Sequence, residues 1–145
     1  MESHVEQYFL EALYYTWSAA IIYALVEGLA GVKDTGVAFS RTLIAPRWEA
    51  AEVRQAEVTV KYPASDGYCH YRYRYEPEMK RLTIEFTGSG KDFDLHVLLP
   101  KGREAETARL DGRAVKADTR KVEQSSYAVI IGARAGTHRV ELELA

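Results

Sequence analysis

The hydrophobic pattern of the chain changes its period once, close to Gly31. Residues 2–13 carry apolar side chains at helical spacing with glutamates between them, which predicts an amphipathic helix. From residue 14 to residue 30 the apolar side chains cover every side of the helix, which is typical of a helix buried all round. Gly31 stands where a helix usually ends. We therefore predict one long helix that ends at Gly31, with a break near Tyr14 as the alternative.

After residue 36 the apolar positions alternate with polar ones, as they do in half-buried β-strands. Residues 32–36 are expected to form a loop, and Asp111-Gly112 predicts a two-residue hairpin turn. Strands are predicted at residues 53–62, 68–76, 81–87, 93–99 and 138–144, and residues 37–44 are an extended connection or a first strand. Residues 107–116 contain the Asp111-Gly112 hairpin, and residues 120–124 and 126–131 form a further hairpin. Short strands at this spacing indicate a sandwich. The predicted fold is mainly β: an antiparallel β-sandwich of about eight strands preceded by one long N-terminal α-helix.

The predicted helix has more apolar surface than a small domain is able to cover. A chain of 145 residues corresponds to one domain or to one domain with an appendage. We divide it into a helical segment, residues 1–36, and a β-sandwich, residues 37–145. The helix is then expected to pack against neighbours that the chain itself does not supply, either another domain or further copies of the same chain.

The helix and the residues that follow it resemble a known family over about a quarter of the chain. The residues that carry the likeness are Trp17-Ser18-Ala19-Ala20, the run 23–33 (YALVEGLAGVK), Phe39 and Leu43-Ile44-Ala45-Pro46. They resemble the end of a six-hairpin α/α-barrel glycoside hydrolase of the α-L-rhamnosidase-like type. In that family the last barrel helix leads into a C-terminal β-sandwich.

The resemblance implies that the chain is a non-catalytic accessory domain, with the catalytic carboxylates lying upstream. It also implies that the helix packs on the barrel, and the residues expected at that interface are Tyr14, Trp17, Ile21 and Leu25. Some members of the family carry a histidine just before the tryptophan. Tyr15 and Thr16 occupy those positions here, so no catalytic role is carried over to them.

Composition narrows the range of partners. The formal net charge of -2 gives no reason to expect nucleic acid or an anionic membrane as a partner. One cysteine excludes an internal disulfide. The start of the chain lacks the basic region of a signal peptide, and the apolar run is interrupted by Glu27, so a cytoplasmic location is expected.

The residues with catalytic chemistry all have a structural interpretation as well. Glu27 lies in an apolar helix, where a carboxyl can become a general acid, but it is expected to pair with Lys33, Arg41 or Arg47. Cys69 and His70 are adjacent in a strand and therefore point to opposite faces. The histidines, His4, His70, His96 and His138, show no metal-ligand spacing, so neither a metal nor a cofactor is expected.

The strand at residues 68–76 has the most unusual predicted surface. Tyr71, Tyr73 and Tyr75 share one face, and His70, Arg72 and Arg74 share the other. The structural interpretation is a half-buried tyrosine face, with the arginines paired to Glu57, Glu78 or Glu85 on neighbouring strands. The functional interpretation is a carbohydrate site, for which the candidates are Tyr68, His70, Arg72, Arg74 and Trp48. The preferred position of Trp48 is instead the seam between helix and sandwich.

Two alternatives to the accessory domain remain open from the sequence. One is a free-standing carbohydrate-binding module that uses the surface of the 68–76 strand. The other is an oligomer in which helices from several chains bury one another.

Overall fold

The computed structural model describes residues 17–145, in which a helix precedes eleven strands. The helix, α1, is α-helical over residues 17–23 and π-helical over Ala24–Leu29. The strands are β1 (Val32–Asp34), β2 (Arg41–Ile44), β3 (Gln55–Lys61), β4 (Tyr68–Glu76), β5 (Arg81–Gly88), β6 (Asp92–Leu98), β7 (Ala105–Leu110), β8 (Arg113–Ala114), β9 (Asp118–Val122), β10 (Ser125–Arg134) and β11 (His138–Leu144). Short 3-10 turns lie at Trp48–Ala51 and Pro77–Met79.

The strands form two sheets. The first has five strands in the order β1-β2-β6-β10-β9, and the second has six in the order β3-β4-β5-β11-β7-β8. Their pairings are antiparallel except that of β2 with β6, which is parallel because the chain crosses to the second sheet and back between them. The predicted fold, a mainly antiparallel sandwich that follows a helix, is therefore confirmed.

The core lies between the two sheets and consists of the alternate apolar positions of each strand. From the first sheet they include Phe93, Leu95, Val97, Ala128 and Ile130; from the second, they include Cys69, Tyr71, Leu82, Ile84, Phe86, Val140 and Leu142. Phe86 and Phe93 join the layers, with ring centroids 5.4 Å apart. Strand alternation alone identifies these residues, because each of these strands has one face turned to the other sheet and one turned to solvent.

The first strand is a correction to the sequence analysis, which predicted a loop at residues 32–36. Val32–Asp34 instead pairs antiparallel with Arg41–Ile44 at the edge of the first sheet. A three-residue strand is too short to show an alternating pattern, and its pairing depends on the turn before it. The predicted hairpin at Asp111-Gly112 is present, with positive φ at both residues.

Gly31 ends the helix and starts the sheet. Its φ is +69°, a left-handed conformation that glycine adopts at little cost. A Cβ at this position would overlap the carbonyl of Ala45, whose own N–H donates to the Gly31 carbonyl at 2.8 Å. The predicted role of Gly31 as the end of the helix is therefore confirmed, and the close approach of two backbone segments adds a second reason for glycine.

The chain itself covers only the end of the helix, so burial of the remaining described part by neighbours stays a prediction. The side chains at 17–25 are exposed, and burial begins only toward the end of the helix, where Ala30 is covered. The sandwich contacts the end of the helix and leaves the rest uncovered. No helix among residues 17–145 is long and apolar enough to cross a lipid bilayer.

We predict that Gly31→Ala destabilises the protein far more than Gly102→Ala. Both glycines have positive φ, which costs an alanine about 1–2 kcal/mol. Gly102 has open space around its Cα, whereas Gly31 has backbone in contact. We expect a loss of about 3 kcal/mol or more at Gly31 and about 1–2 kcal/mol at Gly102, measured by urea unfolding. Equal losses would show that the contact with Ala45 does not constrain the junction.

Candidate functional site

A buried hydrogen-bond network joins the end of the helix to the sandwich. The Tyr71 hydroxyl donates to the Ala30 carbonyl at 2.6 Å and accepts from the Trp48 indole N–H at 2.8 Å. Burial raises the pKa of Tyr71, so the hydroxyl stays protonated and able to donate. The network ties the last turn of α1, the 3-10 turn and β4 together.

Arg47 completes this junction. Its guanidinium donates to the Gly28 carbonyl at 2.7 Å, and its backbone N–H donates to the Leu29 carbonyl at 2.9 Å. These carbonyls belong to the last turn of the helix, so no N–H group of a following turn is available to donate to them. With Ala30 bonded to Tyr71, three successive carbonyls of the helix end are held by the sandwich, so the direction of the helix is fixed by β4 and by the segment after β2.

The exposed part of the helix is almost entirely apolar. We call it the helix surface and define it by Trp17, Ile21, Ile22, Tyr23 and Leu25. Trp17 is 67% exposed and Ile21 is 65% exposed. Isolated apolar side chains are common on protein surfaces, whereas several large ones exposed on one helix are typical of a surface that contacts another. Of the predicted interface residues, Trp17, Ile21 and Leu25 belong to this surface, and Tyr14 lies outside the described residues.

A second candidate site is a polar trough on the outer face of the six-stranded sheet. It has a volume of about 530 Å³ and lies over strands β3, β4, β5 and β11. Its charged lining consists of Arg72, Arg74, Arg81, Arg139, Glu57, Glu76 and Glu85. Gln55 and Thr83 contribute neutral polar groups, and Thr83 is buried although it lies on the outer face.

The structure separates the predicted carbohydrate-site residues. Arg72 and Arg74 line the trough, while Tyr68 and His70 lie further along β4 and do not line it. Trp48 is in the seam with the helix, as the preferred interpretation had it, and its indole N–H is used by Tyr71. No exposed aromatic ring among the described residues therefore lines the trough. Whether any of these residues binds carbohydrate stays a prediction.

Most arginines in the trough have a glutamate partner. Arg72 contacts Glu57 at 3.2 Å, and Arg81 contacts Glu76 at 3.4 Å. Arg139 contacts Glu85 at 3.4 Å and Glu141 at 2.7 Å. The predicted pairing with neighbouring strands is thus confirmed for Arg72 through Glu57.

The catalytic candidates have the structural roles that the sequence favoured. Glu27 lies 3.9 Å from Lys33. Cys69 is buried in the core, where desolvation raises the pKa of its thiol to about 12, so the reactive thiolate does not form near neutral pH. His70 points to the opposite, outer face and shares a 2.8 Å hydrogen bond with Thr59. Cys69 and His70 therefore do not form a nucleophile and its base.

The described part of the chain holds no group of three or more histidine, cysteine or acidic side chains arranged to bind a metal. His70 and His138 are each engaged by other partners. His4 lies outside the described residues.

His138 and Asp111 form a hydrogen-bonded pair of titratable side chains. Its Nδ1 lies 2.7 Å from Asp111 Oδ2, and its Nε2 lies 2.8 Å from the Arg134 carbonyl. Both ring nitrogens face acceptors, so only the doubly protonated ring satisfies both. Burial by itself would lower the pKa of His138, but the hydrogen bonds to Asp111 and Arg134 outweigh it and the pKa is raised. The same hydrogen bond lowers the pKa of Asp111.

Comparison with known proteins gives likeness of fold only. No protein-family model matches the sequence. No curated protein matches it either. Among solved structures, an α-L-rhamnosidase from Dictyoglumus thermophilum matches 79% of this chain and 12% of its own, with a TM-score of 0.53 and 15% identity.

A glycoside hydrolase matches 63% of this chain and 15% of its own, with a TM-score of 0.49 and 14% identity. A cycloalternan-forming enzyme from Listeria monocytogenes matches 71% of this chain and 10% of its own, with a TM-score of 0.48 and 15% identity. The chain thus spans between a tenth and a sixth of the length of these proteins. The predicted resemblance to a small part of an α-L-rhamnosidase-like enzyme is confirmed at the level of the fold.

Sequence reasoning missed most of the trough. Arg139 comes from β11, which is far from β4 in the sequence, and only the pairing of β11 with β5 brings it beside Arg81 and Thr83 of β5. The outward positions of the predicted strands were the available signal. Unless the order of the strands in the sheet is known, these outward-facing positions do not show which strands lie side by side.

We predict that Tyr71→Phe destabilises the protein and that Tyr73→Phe does not. Both side chains are buried and lose the same oxygen, but the Tyr73 hydroxyl has no hydrogen-bond partner among the described residues. Removing the Tyr71 hydroxyl leaves the Ala30 carbonyl and the Trp48 N–H unpaired, which costs about 1–3 kcal/mol. Urea unfolding measures both variants. Equal losses would contradict the role given to the Tyr71 network.

We predict that the His138–Asp111 pair makes stability depend on pH. The folded pKa of His138 is raised, so its contribution is full below the unfolded value near 6.5 and is lost as pH rises through the folded pKa. Asp111→Asn should lower the His138 pKa and flatten this dependence. Histidine ring resonances in an NMR titration give the pKa, and Asp66→Asn, an exposed carboxyl in the β3–β4 turn, is the control. An unchanged His138 titration in Asp111→Asn would contradict the pairing.

Proposed function

We propose that this chain is a non-catalytic accessory domain of a glycoside hydrolase, and that the helix surface docks it on the catalytic barrel. The single observation that carries the proposal is the exposed apolar helix, which the sandwich holds by one end only. Burying a large apolar side chain contributes about 1.5–3 kcal/mol, so the five residues of the helix surface favour association strongly.

The rigid junction supports docking rather than flexible tethering. Arg47 and Tyr71 hold the carbonyls of the helix end, and Gly31 lets the backbone turn directly into β1. The helix is therefore presented at a fixed angle to the sandwich. A preorganised surface loses less conformational entropy on binding than a mobile one.

The likeness of fold supports the choice of partner. The α-L-rhamnosidase that shares the fold is a glycoside hydrolase, and the shared part is 12% of its chain. This small share is consistent with an accessory domain beside a larger catalytic body. In this proposal the acid and base carboxylates belong to the barrel, and glycoside hydrolysis needs such a pair about 5–10 Å apart. Glu27 is not assigned as one of them, and it lies 3.9 Å from Lys33 at the junction.

The DNA on either side of the coding sequence provides the first test. We expect it to encode a helical-hairpin barrel, either in the same frame or in a neighbouring one. Co-expression of that barrel with this chain should give a complex, and Ile21→Glu should prevent it. Ile131→Glu is the matched control, since Ile131 is equally exposed at 65% but lies on β10. Absence of a barrel frame, or a complex that tolerates Ile21→Glu, would overturn the proposal.

We also predict that the chain self-associates when it is produced without the barrel. Its exposed helix surface would then be covered by other copies, as the oligomeric alternative expects. Ile21→Glu should shift the protein toward monomer, because a charge at the centre of an apolar contact is costly. Sedimentation analysis over a range of concentrations measures this, with Ile131→Glu as control. A wild-type protein that stays monomeric at high concentration would count against the helix surface as a contact.

A further inference from the structure

We propose that the trough on the outer face of the six-stranded sheet binds a carboxylate-bearing saccharide, and that Arg74 receives the carboxylate. The site is independent of the helix surface and of the proposed docking. It lies on strands β3, β4, β5 and β11, and its volume of about 530 Å³ is in the range of small-ligand sites.

The charges in the trough do not balance, and the excess falls on Arg74. The lining has four arginines and three glutamates. Arg72, Arg81 and Arg139 each contact a glutamate within 3.4 Å, as described above. Among the described residues, no carboxylate lies within ion-pair distance of Arg74. Within residues 17–145, Arg74 is therefore the one lining arginine without an ion-pair partner.

The neighbours of Arg74 across the sheet are neutral. Its register partners are Gln55 on β3 and Thr83 on β5, so it stands between an amide and a buried threonine. Glu141, which follows Thr83 in the same row, is held by Arg139 at 2.7 Å. A guanidinium in this setting is suited to take a carboxylate through two parallel hydrogen bonds.

The rest of the lining fits a sugar rather than a free anion. Gln55 and Thr83 carry amide and hydroxyl groups, and Glu57 and Glu85 have oxygens that accept from sugar hydroxyls. A neutral sugar platform would need an exposed aromatic ring, and none of the described residues provides one in the trough. The available chemistry therefore favours a charged saccharide over a neutral one.

The test is calorimetric titration of the full chain with a trigalacturonate and with the same trisaccharide after reduction of its carboxyl groups. We expect the charged trisaccharide to bind and the reduced one to bind at least about tenfold more weakly. Arg74→Gln should weaken binding of the charged form by about tenfold or more, and Arg74→Lys by less, because lysine keeps the charge without the planar fork. Salt should weaken binding of the wild type.

Two controls separate the site from other effects. Arg120→Gln removes an exposed arginine of β9 on the other sheet and should leave binding unchanged. Ile21→Glu should also leave it unchanged, so the trough can fail or succeed independently of the docking proposal. Because Arg74 is exposed, its variants should fold, and circular dichroism checks this.

Four outcomes would overturn the inference. They are no binding of the charged trisaccharide at millimolar concentration, equal binding of the reduced one, full binding by Arg74→Gln, and equally tight binding of a glutamate hexapeptide. The last would assign the trough to an acidic protein segment instead of a saccharide.

Discussion

The structure depends on how the apolar helix is held by a sandwich that does not cover it. The Tyr71 hydroxyl, inside the core, donates to the carbonyl of Ala30, which follows the last helical residue, and Arg47 donates to the two carbonyls before it. Side chains of the sandwich thereby provide the partners that a helix end lacks. Everything N-terminal to that junction, from Trp17 to Leu25, projects beyond the protein's own core. The sandwich therefore covers one end of the described helix and leaves the rest of it exposed.

Much of the fold could be predicted from the sequence because strand alternation is a local signal. The inward positions of β5, β6 and β11 follow directly from a period of two. Gly31 and the Asp111-Gly112 turn were also accessible, since both need positive φ. Strand β1 was not, because three residues are too few to show a period and its pairing depends on the turn at Gly31.

The sites were predicted less well, because they depend on which strands and which molecules lie side by side. The apolar pattern of the helix indicated burial but gave no information on which molecule provides the cover. The residues expected to form one sugar surface lie in three different places. Trp48 packs in the seam with the helix, and Tyr68 and His70 lie on β4 outside the trough. Arg72 and Arg74 line the trough together with residues from three other strands. Pairing across the register also distinguished Arg72, which is held by Glu57, from Arg74. In this chain the sequence pattern shows which residues share a face of a strand, and the order of the strands in the sheet shows which of those residues come together in a site.

We propose that a catalytic barrel covers the helix surface, and hydroxyl-radical footprinting of the two tryptophans tests this proposal. In the complex of this chain with the barrel encoded beside it, Trp17 should be strongly protected from oxidation relative to a monomeric Ile21→Glu chain. Trp48, which is already packed in the seam, should change little and serves as the internal reference. A complex in which Trp17 is oxidised as fast as in the monomer would show that the barrel does not cover the helix surface.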